Sequence, residues 1–219
     1  MDKMNQLKDL LKHEINDLYS AEEQIIEALP AMIEKAKDRE LKKALKDHLN
    51  VTEMQKQRLD DLMPMLDEDP PRKSFLSGIF GSKKCKGIQG LIAEGEKIMG
   101  EEMDPDVMDA AIVGSAQKIE HYEICGYGTA RAYAQELGLN EVAAALKTTL
   151  DEEYEADDLL TQLAVRRLNK EATPRKGRVA SSSNGSGKIK TGGKTLKSVS
   201  KRAQSNGSVR SSRKKSTTK

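Results

Sequence analysis

The sequence predicts an all-α chain, with four long helices arranged as two hairpins around one long crossover. Three observations carry that prediction. Apolar residues recur at three- and four-residue steps through four segments of the first 169 residues, the period of a helix with one buried face. Ala, Leu, Ile, Glu, Lys and Gln dominate, Trp is absent, and only Pro30 interrupts the chain before residue 64. Straight-chain residues of this kind lose little rotamer freedom in a helix. Tight joints near residues 37 and 138 bracket a far longer connection over residues 66–103.

The elements follow in order. Residues 4–36 form a helix whose stripe is Leu7, Leu11, Ile15, Leu18, Glu22, Ile25, Leu29 and Met32, with a kink expected at Pro30. Residues 39–65 form a second, with Leu41, Leu45, His48, Thr52, Gln55, Leu59 and Leu62 on one stripe and Asp38 as N-cap. DEDPPRK stops that helix. A loop with apolar Phe75, Leu76, Ile79 and Phe80 follows, suited to an interface or to covering the bundle, and then a short glycine-dotted helix, CKGIQGLIAEGEKIMG. Residues 106–137 form a long helix, with Asp104 as N-cap, Pro105 at its first position and Gly138 as its C-cap. The last helix, 140–168, is capped by Asn140 and carries Val142, Leu146, Thr149, Glu153, Ala156, Leu160 and Leu163 inward. The connection is long enough to run the length of a bundle. Short–long–short linkage marks the ferritin-like arrangement, a four-helix bundle with one crossover that carries a short extra helix.

Charge divides the chain in two. Residues 170–219 hold 15 Lys/Arg and one acid, whereas residues 1–169 hold 22 basic and 34 acidic residues. Ser, Thr, Gly, Lys and Arg make up 37 of those last fifty positions, and none is aromatic. Such a segment cannot bury enough apolar surface to offset the entropy of ordering, so a folded domain at 1–169 and a disordered basic tail at 170–219 are expected. A basic arm of this kind suits a polyanion, and nucleic acid is the expected partner. No run approaches the ~20 apolar residues of a membrane span. The charged, amphipathic N-terminus lacks the apolar core of a signal peptide, so a cytoplasmic protein with free Cys85 and Cys125 is expected.

Acids stand on inward stripes. With the first joint centred between residues 37 and 38, Glu22 and Glu53 lie at equal distances from it, and hence at one height. With the second centred between residues 138 and 139, Glu120 matches Asp157 and Glu123 falls close to Glu153. Glu120 and Glu123 share a face at i, i+3, as do Glu153 and Asp157 at i, i+4. Four helices can thus bring six carboxylates to one region. That number of hard oxygen donors suits two metal ions, iron or manganese, which would neutralise charges that otherwise repel. The competing reading leaves these acids on solvated faces of a helical scaffold.

The segments LKDLLKHEINDLYSAEEQIIEALP, HLNVTEMQKQRL, KKCKGIQGLIAEGE, AQKIEHYEICGYGTARAYAQELG and LDEEYEADDLLTQLA resemble the YciE/YciF family of ferritin-like stress proteins, over about residues 3–168. The resemblance implies a ferritin-like bundle, related in shape to rubrerythrin, a homodimer, and a metal function. It also implies a ligand set. The di-iron pattern has a first-helix Glu, which Glu22 matches, and, in rubrerythrin-like sites, a third-helix Glu-x-x-Glu, which Glu120 and Glu123 match. Its two Glu-x-x-His pairs are matched only at Glu53 and Glu153, with Lys56 and Ala156 where histidines stand in the pattern, and Asp157 as the nearest substitute for the second. The expected chemistry is oxidation of ferrous iron or removal of peroxide; the alternative is a non-enzymatic scaffold whose tail coats nucleic acid.

Other residues have plainer expectations. His48 reads as a core histidine, His13 as surface, and His121 as bonded to water or across an interface. Tyr127, one turn after Glu123, either hydrogen-bonds a carboxylate or packs. Cys125 reads as a buried thiol, and Cys85 is flanked by lysines that could lower its pKa, with a redox role as one hypothesis for it. The tail reading has a direct test. Deleting residues 170–219 abolishes sequence-independent, salt-sensitive retardation of duplex DNA in a gel at low salt; unchanged retardation by the truncated chain excludes the tail as the binder.

Overall fold

A computed structural model of the chain describes residues 4–66 and 84–174. Helix α1 spans Leu7–Lys35 and buries Leu11, Ile15, Leu18, Ile25, Leu29 and Met32 along one face. Pro30 lies inside it on the exposed side, and the helix runs on to Lys35. Helix α2 spans Arg39–Leu62 and ends in a 3-10 turn, Met63–Leu66. Three further helices follow: α3 at Lys86–Met99, α4 at Pro105–Glu136 and α5 at Asn140–Leu163. A π-helical turn at Ala164–Leu168 and a last turn at Asn169–Glu171 extend α5. The loop around Phe75, Ile79 and Phe80 and the tail beyond residue 174 lie outside the described residues.

The caps follow from local chemistry. The Asp38 side chain accepts from the backbone N–H of Glu40 (3.0 Å) and Leu41 (2.9 Å), as its N-cap position requires. Asp104 precedes α4 in extended conformation but makes no side-chain cap bond, and Pro105 starts the helix. Gly138 ends α4 with φ of 70°, a conformation that costs a side-chain-bearing residue free energy. Asn140 is the first residue of α5 rather than its cap; Leu139 stands before it without a side-chain cap bond.

The α1–α2 joint is tied from two sides. Buried Asp109 on α4 accepts the backbone N–H of Lys37 (2.7 Å) and of Asp38 (3.0 Å). From the other end of the chain, Arg167 donates to both carboxylate oxygens of Asp38 (2.6 and 2.9 Å) and to Glu40 (2.9 Å). The Arg167 bonds are the main reason that the Asp38 carboxyl is held down to about 2.

These contacts set the topology. Helix α1 packs against α2 and α4, and α5 against α4 and α2, while α3 lies on α1 and α4. Lys37 meets Asp109 and Asp17 meets Tyr122, so α1 and α4 are antiparallel. Glu40 meets Arg167 and Arg58 meets Thr149, so α2 and α5 are antiparallel as well. With both hairpins antiparallel, α2 and α4 must run in the same direction. Two helices that run in the same direction need a long connection, and its described part, α3, lies on α1 and α4. This is the ferritin-like four-helix bundle. Among the described residues no helix is long and apolar enough to cross a membrane.

The core falls into two apolar halves. One gathers Ile25, Leu29, Met32, Leu41, Leu45, Ile112 and Leu160 with α3's Ile88. The other gathers Leu11, Ile15, Leu18, Leu59, Leu62, Ala130, Val142 and Leu146. Between them, along every helix of the bundle, the inward positions are polar.

Helix α3 is held at its start by a polar latch. The backbone N–H of Cys85 donates to Ser20 Oγ (3.0 Å), and its carbonyl accepts from Gln24 (3.2 Å). Its thiol meets Asp17 Oδ2 (3.0 Å) and the Tyr122 hydroxyl (3.1 Å), and that hydroxyl donates to the same Asp17 oxygen (2.7 Å). The Tyr122 ring held in this way leaves no room beside Gly87, where a Cβ would approach the ring to 2.5 Å. Gly90, one turn on, has nothing within 4 Å. Gly87→Ala is therefore expected to cost about 1–3 kcal/mol by overpacking. Gly90→Ala should add about 0.5–1 kcal/mol of helix propensity. Urea unfolding of the two variants checks the opposite signs.

Candidate metal centre

Helical period brings the polar layer together. On α1, Glu22 continues the stripe of Ile15, Leu18 and Ile25 and is wholly buried. On α4, Glu120, Glu123 and Tyr127 stand at i, i+3 and i+7, all buried. On α5, Thr149 and Glu153 occupy the positions between Leu146 and Leu160. On α2, His48, Thr52 and Gln55 fill the turns between Leu45 and Leu59. Each helix would be apolar here if packing alone decided its sequence.

Within the layer, ligand atoms of His48, Glu120, Glu123 and Glu153 all lie within 4.8 Å of one another. His48 Nε2 is 3.3 Å from Glu120 Oε1, without the alignment of a hydrogen bond. Glu22 borders this group: the Tyr127 hydroxyl donates to its Oε1. Gln55 Nε2 donates to Glu153 Oε1 and to Glu152 Oε2 (3.2 Å). At the α2–α5 seam, Arg58 pairs with both oxygens of Glu152 (2.8 and 3.0 Å).

Six buried side-chain atoms have no hydrogen-bond partner among the described residues: Glu22 Oε2, His48 Nε2, Gln55 Oε1, Glu120 Oε2, Glu123 Oε1 and Glu153 Oε2. All six belong to this one layer. An orphaned buried polar atom costs ~1–3 kcal/mol, and more when it is charged, so such a concentration indicates a group that the protein atoms do not supply. The atoms are five oxygens and one imidazole nitrogen, a donor set that suits iron or manganese. Neighbours pin one oxygen each of Glu22 and Glu153 and leave the other oxygen free. That is how surrounding hydrogen bonds orient ligands.

Electrostatics agrees. Burial, then the charge of Glu153, pushes the carboxyls of Glu22, Glu120 and Glu123 well above the usual range. Burial raises Glu153 to about 7, against the lowering effect of its bonds with Glu120 and Gln55. Burial lowers the His48 imidazole to about 4, so it is neutral near pH 7, the form that ligates metal. The Tyr127 hydroxyl is raised by burial and by the charge of Glu22.

Four of the six residues expected at the site come together: Glu22, Glu120, Glu123 and Glu153. Glu53 does not join them and is exposed. It follows the buried Thr52, and one residue turns the side chain ~100° around a helix. Equal height on a hairpin therefore did not make it face the interior. Asp157 lies at the edge, half-buried, accepting from Gln117 (2.8 Å) and 3.3 Å from the largely exposed His121. His48 takes the place expected of Glu53, and its signal was present: it shares the stripe of Leu45, Thr52 and Leu59. Two cysteine expectations are corrected. Cys125 is exposed. Cys85 is buried, and burial with the Asp17 contact raises its pKa, because Lys84 and Lys86 point to solvent while the thiol points inward.

The shifts imply a pH dependence for the metal-free protein. A carboxyl raised in the folded state stabilises it fully below about pH 4.5, and that contribution is lost as pH rises through the folded value, about 7 for Glu153. His48, lowered to about 4, opposes this only up to its ordinary 6.5. Chelator-treated protein should thus melt at lower temperature at pH 8 than at pH 6.5, and Glu123→Gln should flatten the difference in a thermal-melt series.

Comparison with known proteins bears on the fold and the family. Protein YciF of Escherichia coli (strain K12) is 35% identical over 169 residues, covering 77% of this chain and 96% of YciF. The crystal structure of the E. coli stress protein YciF matches with a TM-score of 0.68 at 34% identity, over 76% of this chain and 99% of that one. YcfI from Rhodopseudomonas palustris matches with a TM-score of 0.65 at 41% identity, over 73% of this chain and 96% of YcfI. Residues 6–173 match a family described only as a domain of unknown function, DUF892. By this match and its likeness to YciF, the chain belongs to the DUF892 family.

Proposed function

We propose that this bundle is a stress-associated metal-binding protein that holds iron or manganese in its buried glutamate layer. The supporting observation is the gathering of all six orphaned buried atoms at one height of the bundle. Glu120, Glu123, Glu153 and His48 form the main ligand group, and Glu22 stands beside it. Bound metal would supply redox chemistry toward ferrous iron or peroxide. The chain's own part is to hold the carboxylates in place. Tyr127 and Gln55 orient Glu22 and Glu153, and the apolar halves above and below exclude bulk water. The association with stress comes from the description of E. coli YciF. A second reading, a scaffold whose basic tail coats nucleic acid, is favoured by the charge division at residue 170 and is compatible with the first.

Elemental analysis after aerobic loading with ferrous iron or manganese tests the proposal. Wild type and Glu53→Gln should retain metal, whereas Glu123→Gln and Glu153→Gln should lose it. Tyr127→Phe should weaken affinity by about 10–100-fold, the usual effect of removing a hydrogen bond to a ligand. Wild type without metal leaves only the scaffold.

A further inference from the structure

A cavity of about 180 Å³ lies between α2 and α5. Its inner wall includes His48 and Glu120, whose Nε2 and Oε2 are two of the orphaned buried atoms. Its outer wall includes Asp47, Glu155 and Leu159, all exposed. The space opens at this seam and reaches inward as far as the side chains of His48 and Glu120, whose orphaned atoms themselves stay closed to water, so it stops against the edge of the layer. Of the other cavities described, one shares the outer seam but not the layer, and the third lies between α1, α3 and α4.

Ala156 lines this space. It stands three residues after Glu153, on the same side of α5, where any longer side chain would project into the space beside His48. The charge of the wall is one-sided: Asp47, Glu120, Glu152 and Glu155 line it, and no Lys or Arg does. Arg58 pairs with Glu152 and Lys43 with Asp47, but both cations stay outside the lining. Acidic walls of low dielectric concentrate cations and repel anions.

We propose that this α2–α5 cavity is the passage by which a divalent cation and small neutral reactants reach the layer, and that Ala156 keeps it open. The proposal rests on the metal reading above, and its test separates the two. Ala156→Trp fills the passage without replacing a ligand, with Ala156→Leu as a milder variant should the first melt markedly lower. In stopped-flow mixing with manganese or ferrous iron, both variants should load at least ten-fold more slowly than wild type and reach the same final metal content. A second readout needs no metal. Diethyl pyrocarbonate should acylate His48 in the metal-free wild type, located by peptide mass spectrometry. The same adduct should form much more slowly in both variants, with His13 and His121 modified as before. Unchanged loading rate and unchanged His48 acylation in the folded variants overturn the passage and leave metal binding standing. Slower acylation in a protein that never takes up metal supports the passage and overturns the metal reading.

Discussion

Four glutamates buried at one height of an apolar bundle are the constraint around which the rest is arranged. Carboxylates this close in a low-dielectric interior cannot all be ionised without counter-charge. The bundle answers with neutral donors where it can: the Tyr127 hydroxyl on Glu22, the Gln55 amide on Glu153. It does not answer completely, because one oxygen of each glutamate stays unpartnered. A purely structural layer would be satisfied or replaced by leucine, since a half-satisfied polar network is worse than an apolar core. The unpartnered oxygens leave the layer able to hold a metal ion.

The apolar halves on either side give the layer its rigidity. Leu18 and Ile25 flank Glu22, Leu45 and Leu59 bracket the α2 residues, and Leu146 and Leu160 bracket Glu153. These side chains fix helix rotation and thereby carboxylate direction. The joint between α1 and α2 is fixed by Asp109 and Arg167, which come from opposite ends of the other hairpin. The two hairpins thus hold each other's register, and register decides which acids meet. The Cys85–Asp17–Tyr122 latch does the same for the chain returning from the crossover. Tyr122 lies next to Glu123 in the sequence yet points to the other side of α4, toward α1 and α3.

The departures from the di-iron ligand pattern of rubrerythrin-like sites are confined to α2 and α5. Thr52 and Gln55, not Glu53 and Lys56, are the buried i, i+3 pair on α2. One turn earlier, His48 supplies the only imidazole of the cluster. On α5, Ala156 replaces the expected ring and leaves a space in its stead. Both changes face the same seam, so the side of the layer with fewer ligands is also the side nearest solvent.

The four helices, the two tight joints, the long crossover, and the acids at positions 22, 120, 123 and 153 are legible in the sequence. These follow from local rules: apolar period, capping chemistry, and i, i+3 or i, i+4 spacing, all legible within one helix. Tertiary structure alone decided that Glu53 is outside and His48 inside, that the Cys85 thiol is buried and Cys125 exposed, and that Asp109 reaches across to the first joint. The physical reason is rotational. Height along a hairpin follows from counting residues, whereas the direction of a side chain turns ~100° with each residue. Small offsets in how two helices pack therefore exchange an inward residue for its neighbour, and only contacts between distant segments set those offsets.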